Sequence, residues 1–228
     1  MIKKIFSFYI ILNFINLTAS PLYSATTGYN GWEIVRHSSI CGIEEFYVTK
    51  NYIRIDNKMM HAIFKANTNM VDVFNKTTHK YAKVTINELA DSLSAHKNSI
   101  DKKNPDKWIF KQKFKEKNVT ISEYDGANNH LKVFVIKDVE IPDNLAMFFR
   151  KIFDFPKSNN FLYKVEDGYP VKSNKAKNNK SYYCYTISIK KVNLTPDDFV
   201  VPKNYKKVKT LGSMYIDDDI ENLAKSMY

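Results

Sequence analysis

The chain of 228 residues is poor in glycine, cysteine and arginine, and each shortage excludes a class of protein. Six glycines are too few for collagen-like or glycine-rich repeats. Two cysteines, Cys41 and Cys184, exclude a small disulfide-rich scaffold and any zinc or iron–sulfur site built from several cysteines. Arginine stands only at Arg36, Arg54 and Arg150, so lysine supplies nearly all of the formal net charge of +11.

Aromatic and aliphatic residues are plentiful by contrast. A hydrophobic content of 44% predicts a chain that folds, and an aromatic content of 14% favours pleated, half-buried β surfaces. The length suits a single sizeable domain.

The first 25 residues have the layout of a secretory signal peptide. Two lysines, Lys3 and Lys4, precede an apolar run from Ile5 to Leu17, and small residues follow up to Ala25. The run is shorter than the about 20 apolar residues of a membrane span. We therefore predict a signal peptide over 1–25, one domain over 26–228, and a periplasmic or secreted mature protein. An uncleaved N-terminal anchor is the alternative.

In that compartment the two cysteines are able to pair. A Cys41–Cys184 disulfide would close a very long loop and contribute about 4–5 kcal/mol in the chain-entropy picture. The alternative is a reactive thiol at Cys41 with His37 as its partner. We predict the structural disulfide.

The hydrophobic pattern predicts strands interrupted twice by helices. Alternating segments over 32–84 indicate an antiparallel meander. Thr85 and Glu88 form a capping-box pattern that starts a helix. A second β run covers 108–136, a second helix starts near Pro142, and further strands follow. With a short helix over 217–227, the fold class is α+β, mainly antiparallel β, with two or three helices.

The segment 52–93, YIRIDNKMMHAIFKANTNMVDVFNKTTHKYAKVTINELADSL, resembles the periplasmic lipoprotein-carrier superfamily, the LolA/LolB-like fold. Members carry a strand with a basic–apolar–acidic pattern, which is Arg54-Ile55-Asp56 here. The closing segment 193–208, NLTPDDFVVPKNYKKV, is similar to the end of small exported relatives of unknown function, with Phe199, Pro202 and Tyr205 in place. Those relatives have glycine where Asn204 stands.

The resemblance implies a curved, open half-barrel of about eleven strands closed by helices, with an apolar concavity for acyl chains. The carriers gate that cavity with an arginine, and the resemblance does not decide between Arg36 and Arg54. No cysteine follows the leader for lipid attachment, which departs from the membrane-anchored receptor member. The role that the resemblance then implies is that of a soluble carrier or sensor.

The candidate ligand-binding residues lie on one stripe of the second helix, at positions i, i+3, i+4, i+7 and i+8. They are Leu145, Phe148, Phe149, Ile152 and Phe153. The stripe either packs on the sheet as plain core or covers a half-barrel whose interior takes an acyl chain.

No pattern of catalytic residues is visible. The chain has no metalloprotease, nucleophile-elbow, phosphate-loop or dinucleotide motif, and its five histidines lack metal-ligand spacing. Glu44 and Glu45 point to opposite faces of a strand and cannot act as an acid–base pair. We expect no enzyme activity, no catalytic residues, no metal and no cofactor.

The lysine excess allows two interpretations. It permits attraction to an anionic membrane surface, and it is also the bias of an AT-rich genome. Nucleic-acid binding is not expected of an exported chain without a recognition module. The predicted function is non-enzymatic binding of a lipid or an acylated protein in the cell envelope, as carrier or sensor. The alternative is an envelope protein-interaction module with a filled core and no ligand. The oligomeric state stays open.

Overall fold

The computed structural model describes residues 28–39, 41–58, 60–94, 108–126, 131–153, 159–167 and 181–217. The predicted signal peptide lies outside these residues. So does the predicted C-terminal helix, apart from Asp217, which is not helical.

In the described part of the chain, twelve strands form one open sheet in the order β12-β6-β5-β4-β3-β2-β1-β11-β10-β9-β8-β7. The strands are β1 Tyr29–Ser38, β2 Gly42–Val48, β3 Tyr52–Asn57, β4 His61–Lys65, β5 Met70–Asn75, β6 Lys80–Thr85, β7 Trp108–Glu116, β8 Val119–Gly126, β9 Leu131–Glu140, β10 Asn160–Asp167, β11 Ser181–Leu194 and β12 Lys206–Val208. The helices are α1 Ile86–Ser94 and α2 Asp143–Phe153, and two short 3-10 helices cover Pro196–Phe199 and Gly212–Met214.

The sheet consists of two meanders joined at its centre. Strands β1–β6 form one meander and β7–β11 the other, and β1 pairs with β11 from Tyr29 opposite Leu194 to Ser38 opposite Cys184. All pairings are antiparallel except that of β12, which runs parallel to β6. The predicted α+β class with a mainly antiparallel, curved and open sheet is confirmed.

The inner face of the first meander packs against both helices. Strict alternation puts Ile53 and Ile55 of β3 on this face and Arg54 and Asp56 on the other. The main core contains the inner-face residues and three groups from the helices and the C-terminal region. These groups are Ile86, Leu89 and Ala90 of α1, Leu145, Ala146, Phe148 and Phe149 of α2, and Met214.

The predicted capping box at the start of α1 is present. The backbone N–H and hydroxyl of Thr85 donate to Glu88 Oε2 at 2.6 and 2.9 Å, and the N–H of Glu88 donates to Thr85 Oγ1 at 3.1 Å. The two bonds from Thr85 lower the pKa of Glu88 because they favour the charged carboxylate.

The outer face of the first meander is covered by residues 195–217, here called the C-terminal strap. The Phe199 ring stacks on Tyr52 with centroids 5.0 Å apart, and Tyr205 meets Phe74 edge-on at 5.5 Å. The strap adds β12 beside β6 and then inserts Met214 into the main core. It therefore contacts both faces of the sheet.

A charged cluster lies on the outer face beside the strap. Asp56 accepts from Arg54 Nε at 2.9 Å, and its other oxygen lies 2.8 Å from His61 Nδ1. Arg54 also donates to the carbonyl of Asp198 in the strap at 3.2 Å. Burial raises the pKa of Asp56, but the bonds from His61 and Arg54 outweigh it and lower the pKa to about 2.

We predict that Asp56→Asn loses about 2 kcal/mol of unfolding free energy at neutral pH, which is the stabilisation given by a carboxyl pKa lowered from 3.8 to about 2. Because the folded-state pKa is the lower one, this stabilisation is present above the unfolded value and lost as pH falls through about 2. Urea unfolding at neutral and acidic pH measures the difference between variant and wild type, which should shrink on acidification.

The matched control is Asp72→Asn, whose partner Lys83 lies 4.0 Å away in a solvent-exposed pair. Such a pair contributes at most about 1 kcal/mol. Equal losses in the two variants would contradict the structural role of Asp56.

Candidate functional site

Three of the five stripe residues of α2 are buried against the sheet. Leu145, Phe148 and Phe149 are 0, 3 and 5% exposed and belong to the main core. Ile152 and Phe153 lie in the same helix, but their side chains are outside what the structure describes.

An aromatic layer joins α2 to the sheet. The ring centre of Phe148 lies 4.9 Å from that of Phe64 in β4. The ring centre of Phe149 lies 6.5 Å from that of Phe46 and 6.2 Å from that of Phe161. Phe46 and Phe161 themselves meet edge-on at 5.0 Å. These offset and edge contacts are the preferred geometries of buried rings. Helix α2 thus fills the inner face with aromatic side chains.

Beneath this layer a small space, the Arg36 hollow, remains. Its volume of about 10 Å3 is at the lower limit for a single water molecule. It is lined by Arg36, Ile141, Ala146, Phe149, Asn160, Phe161 and Leu162. The interior therefore holds side chains rather than open space in this structure.

Arg36, which lines the hollow, belongs to a buried ion pair. Arg36 of β1 donates from Nε and Nη2 to Glu44 Oε2 of β2 at 3.0 and 2.8 Å, and the guanidinium lies 4.5 Å from the Phe46 ring centre. Burial alone would lower the pKa of Arg36, but the adjacent Glu44 carboxylate raises it. The arginine therefore stays charged in an apolar setting.

Sequence reasoning missed this pair, although one signal was available. Arg36 and Glu44 stand directly opposite each other across the β1–β2 hairpin. The prediction that Glu44 and Glu45 occupy opposite faces is confirmed, since Glu44 is buried and Glu45 is exposed.

The predicted Cys41–Cys184 disulfide is not formed in the structure, where both thiols are free and beyond bonding distance. Cys184 lies opposite Ser38 in the β1–β11 register, whereas Cys41 lies past the following turn and donates its backbone N–H to Ser38 Oγ at 2.9 Å. Burial raises the pKa of both thiols, with Glu44 adding to the effect. Neither is an activated nucleophile.

A second space, the end cleft, opens at one end of the sheet with a volume of about 850 Å3. It lies between the start of β1, the β2–β3 and β4–β5 turns, the end of β9 and the start of α2. Ligand pockets ordinarily have volumes of about 300–1,000 Å3. The apolar part of its lining consists of Trp32, Val48, Ala66, Ile141, Pro142 and Met147.

The end cleft has a polar rim and shares one lining residue with the Arg36 hollow. Five asparagines line it, Asn30, Asn51, Asn67, Asn144 and Asn159. Ile141 lines both the cleft and the Arg36 hollow, so the two spaces adjoin at this residue. No sequence pattern indicates the cleft, because its lining comes from turns and strand ends far apart in the chain.

Hydrogen bonds hold the start of α2 at the cleft. Asn144 Nδ2 donates to the carbonyls of Lys65 and Thr68 at 3.1 and 2.7 Å, and Asn159 donates to Asp143. The helix is thus attached at its first turn to the β4–β5 turn across the cleft.

The remaining candidates form no further site. Among the described residues no group of three metal-ligating side chains is present, and no helix has the length and hydropathy to cross a membrane. His37 stacks on Tyr185 and His79 contacts Tyr205.

Comparison with known proteins adds a distant structural likeness. No family model and no curated protein matches the chain. The fold is similar to that of an uncharacterized conserved protein from Thermus thermophilus, with 9% identity over 82% of this chain and 92% of that chain and a TM-score of 0.43.

We predict that Arg36→Met destabilises the protein by about 3–5 kcal/mol, because Glu44 is left buried without its partner. Replacing both partners, Arg36→Met with Glu44→Leu, should recover most of that loss. Urea unfolding of the two single variants and the double variant gives the comparison. A double variant as unstable as Arg36→Met would mean that the ion pair is not the source of the effect.

We also predict that the native protein has two free thiols with different reactivity. Cys41, which is half-buried, should react slowly with a thiol reagent at neutral pH, and buried Cys184 only on unfolding. Mass spectrometry after alkylation, with and without denaturant, counts them. A mass gain on reduction would instead show the disulfide.

Proposed function

We propose that this protein binds the acyl chain of a lipid or of an acylated protein between the sheet and α2. It would act without catalysis and without a cofactor, as a carrier or sensor exported to the cell envelope. The sheet then serves as a half-barrel of the lipoprotein-carrier type, and α2 as its lid. The observation that carries the proposal is the end cleft, which shares the lining residue Ile141 with the hollow beneath α2.

The route for an acyl chain follows from the lining of the two spaces. The chain enters between Trp32 and Met147, passes Ile141 and occupies the place of the Phe149 ring. Met147 is 61% exposed at the cleft and has the flexibility to adapt to different chains. The polar rim, in which Lys50 and Lys137 stand beside the asparagines and three carboxylates, receives the polar part of the ligand.

The energy balance sets a minimum chain length. Exposing Leu145, Phe148 and Phe149 costs about 1.5–3 kcal/mol each, or roughly 5–9 kcal/mol together. Each buried methylene returns about 0.8 kcal/mol, so roughly 6–11 methylenes offset the loss. The ligands that bind should therefore be the longer acyl chains, whereas short fatty acids should not bind.

The alternative function is a protein-interaction module that keeps its interior filled. The small volume of the Arg36 hollow favours it. In that case the aromatic layer is permanent core and the partner binds on a surface of the protein.

Native mass spectrometry with organic extraction of protein purified from its own envelope fraction tests the proposal. We expect a stoichiometric lipid, and uptake of added fatty acids that begins at about ten carbons. A clean apo mass in repeated preparations, with no uptake at any chain length, would contradict lipid binding and favour the interaction module.

A pair of core variants tests the location. Phe149→Ala and Phe199→Ala each remove a buried ring and should each cost about 3–5 kcal/mol, but they lie on opposite faces of the sheet. Added lipid should raise the melting temperature of Phe149→Ala more than that of Phe199→Ala, because loss of the Phe149 ring vacates the place of the acyl chain and strengthens binding, and the stabilisation grows with affinity. Equal shifts would place binding elsewhere.

A further inference from the structure

Strand β7 is the last strand of the sheet at the end opposite β12, and it pairs only with β8 among the described strands. Most of its side chains are exposed on both faces. Two large apolar side chains are among them, Ile109 at 43% and Phe110 at 50% exposure. An edge with exposed apolar residues requires an explanation, since natural proteins usually protect such strands.

A β-bulge determines which side chains of β7 share a face. The register shifts between Phe110 and Gln112, so that Phe110, Lys113 and Lys115 stand opposite Tyr124, Ser122 and Thr120. These three partners alternate along β8 and share one face. Phe110, Lys113 and Lys115 therefore lie on one face of the hairpin, and we call them the edge strip. Without the bulge, Phe110 would lie on the opposite face from both lysines.

Three other charged side chains of the β7–β8 hairpin form ion pairs or hydrogen bonds. Lys111 forms an ion pair with Asp125 at 3.3 Å, and Lys117 donates to the carbonyls of Thr186 and Ile187 at 2.9 and 2.7 Å. Glu116 accepts a hydrogen bond from Tyr163, which raises the tyrosine pKa after the larger effect of burial.

The acidic side chains of the hairpin lie away from the edge strip. Because side chains alternate along each strand, Glu116, Glu123 and Asp125 lie on the opposite face. Lys113 and Lys115 are exposed and have no ion pair within the described part of the chain. The edge strip thus combines two exposed lysines with a half-exposed aromatic ring. One carboxylate borders it, that of Asp138 on β9, which accepts from the backbone N–H of Thr120 opposite Lys115.

We propose that the edge strip docks the protein on an anionic phospholipid surface. Lys113 and Lys115 face the headgroup phosphates, and Phe110 enters the interfacial layer. The lysines complement the negative charge of the membrane surface, and the Phe110 ring complements its apolar interfacial layer. This docking does not depend on the acyl-chain site, which lies on the inner face.

The lysines at the other end of the sheet provide a matched comparison. Lys203 and Lys207, in the C-terminal strap, are also exposed. The large apolar side chains exposed in the strap are Val200, Tyr215 and Ile216, and the last two directly precede the acidic Asp217. That end therefore lacks an exposed aromatic ring free of neighbouring negative charge.

Vesicle co-sedimentation tests the proposal, with phosphatidylcholine vesicles that contain or lack phosphatidylglycerol. We expect the wild-type chain to bind the anionic vesicles more tightly, and salt to weaken the difference. Each lysine near an anionic surface contributes about fivefold, so Lys113→Gln with Lys115→Gln should lower binding at least tenfold. Lys203→Gln with Lys207→Gln, the same change in charge, should lower it less than about twofold.

An apolar pair of variants completes the test. Phe110→Ser should weaken binding to anionic vesicles severalfold, whereas Ile43→Ser, at a residue 49% exposed on β2, should not. All variants share the same N-terminus. The binding of each variant to neutral vesicles is subtracted from its binding to anionic vesicles.

Three outcomes would overturn the docking proposal. Equal losses in the two lysine variants would assign binding to net charge. No preference of the wild type for anionic vesicles would remove the membrane as partner. Retention on immobilised polyglutamate without vesicle binding would assign the edge strip to an acidic protein. None of these three outcomes changes the result of native mass spectrometry, which tests the acyl-chain proposal. Failure of the docking proposal is therefore distinguishable from failure of the acyl-chain proposal.

Discussion

The pairing of β1 with β11 is the constraint on which the rest of the structure depends. Each meander is built from short hairpins, but only this long ladder joins them into one sheet. It also brings together the groups that surround the interior. Arg36 and Ser38 of β1 stand opposite Thr186 and Cys184 of β11, and the α2 side chains pack across the joined halves. Contacts so distant in sequence form late and slow the folding of β proteins.

The elements that the sequence predicted are those in which one local pattern controls the outcome. The strands of the first meander alternate because each buries one side, as Ile53 and Ile55 do while Arg54 and Asp56 face outward. The start of α1 was predictable because Thr85 and Glu88 satisfy the first turn by themselves.

The features that the sequence did not predict depend on distant parts of the chain. Strand β12 is three residues long, includes two lysines and exists because β6 lies beside it. The end cleft takes its lining from separate turns. The periodicity of α2 correctly placed Leu145, Phe148 and Phe149 on one side, but periodicity cannot distinguish a permanent core from a lid. The free state of Cys41 and Cys184 follows from the turn after Ser38, which carries no spacing signal.

The open sheet has a consequence for how copies of the protein meet one another. Among the described residues, the twelve-stranded sheet does not close, and the outer edges of β7 and β12 have no neighbouring strand. Lys111, Lys113 and Lys115 stand along the first edge, and Lys206 and Lys207 along the second. Any two copies that approached edge to edge would bring lysines against lysines. The same side chains that make each edge cationic thus oppose growth of a continuous sheet through many molecules.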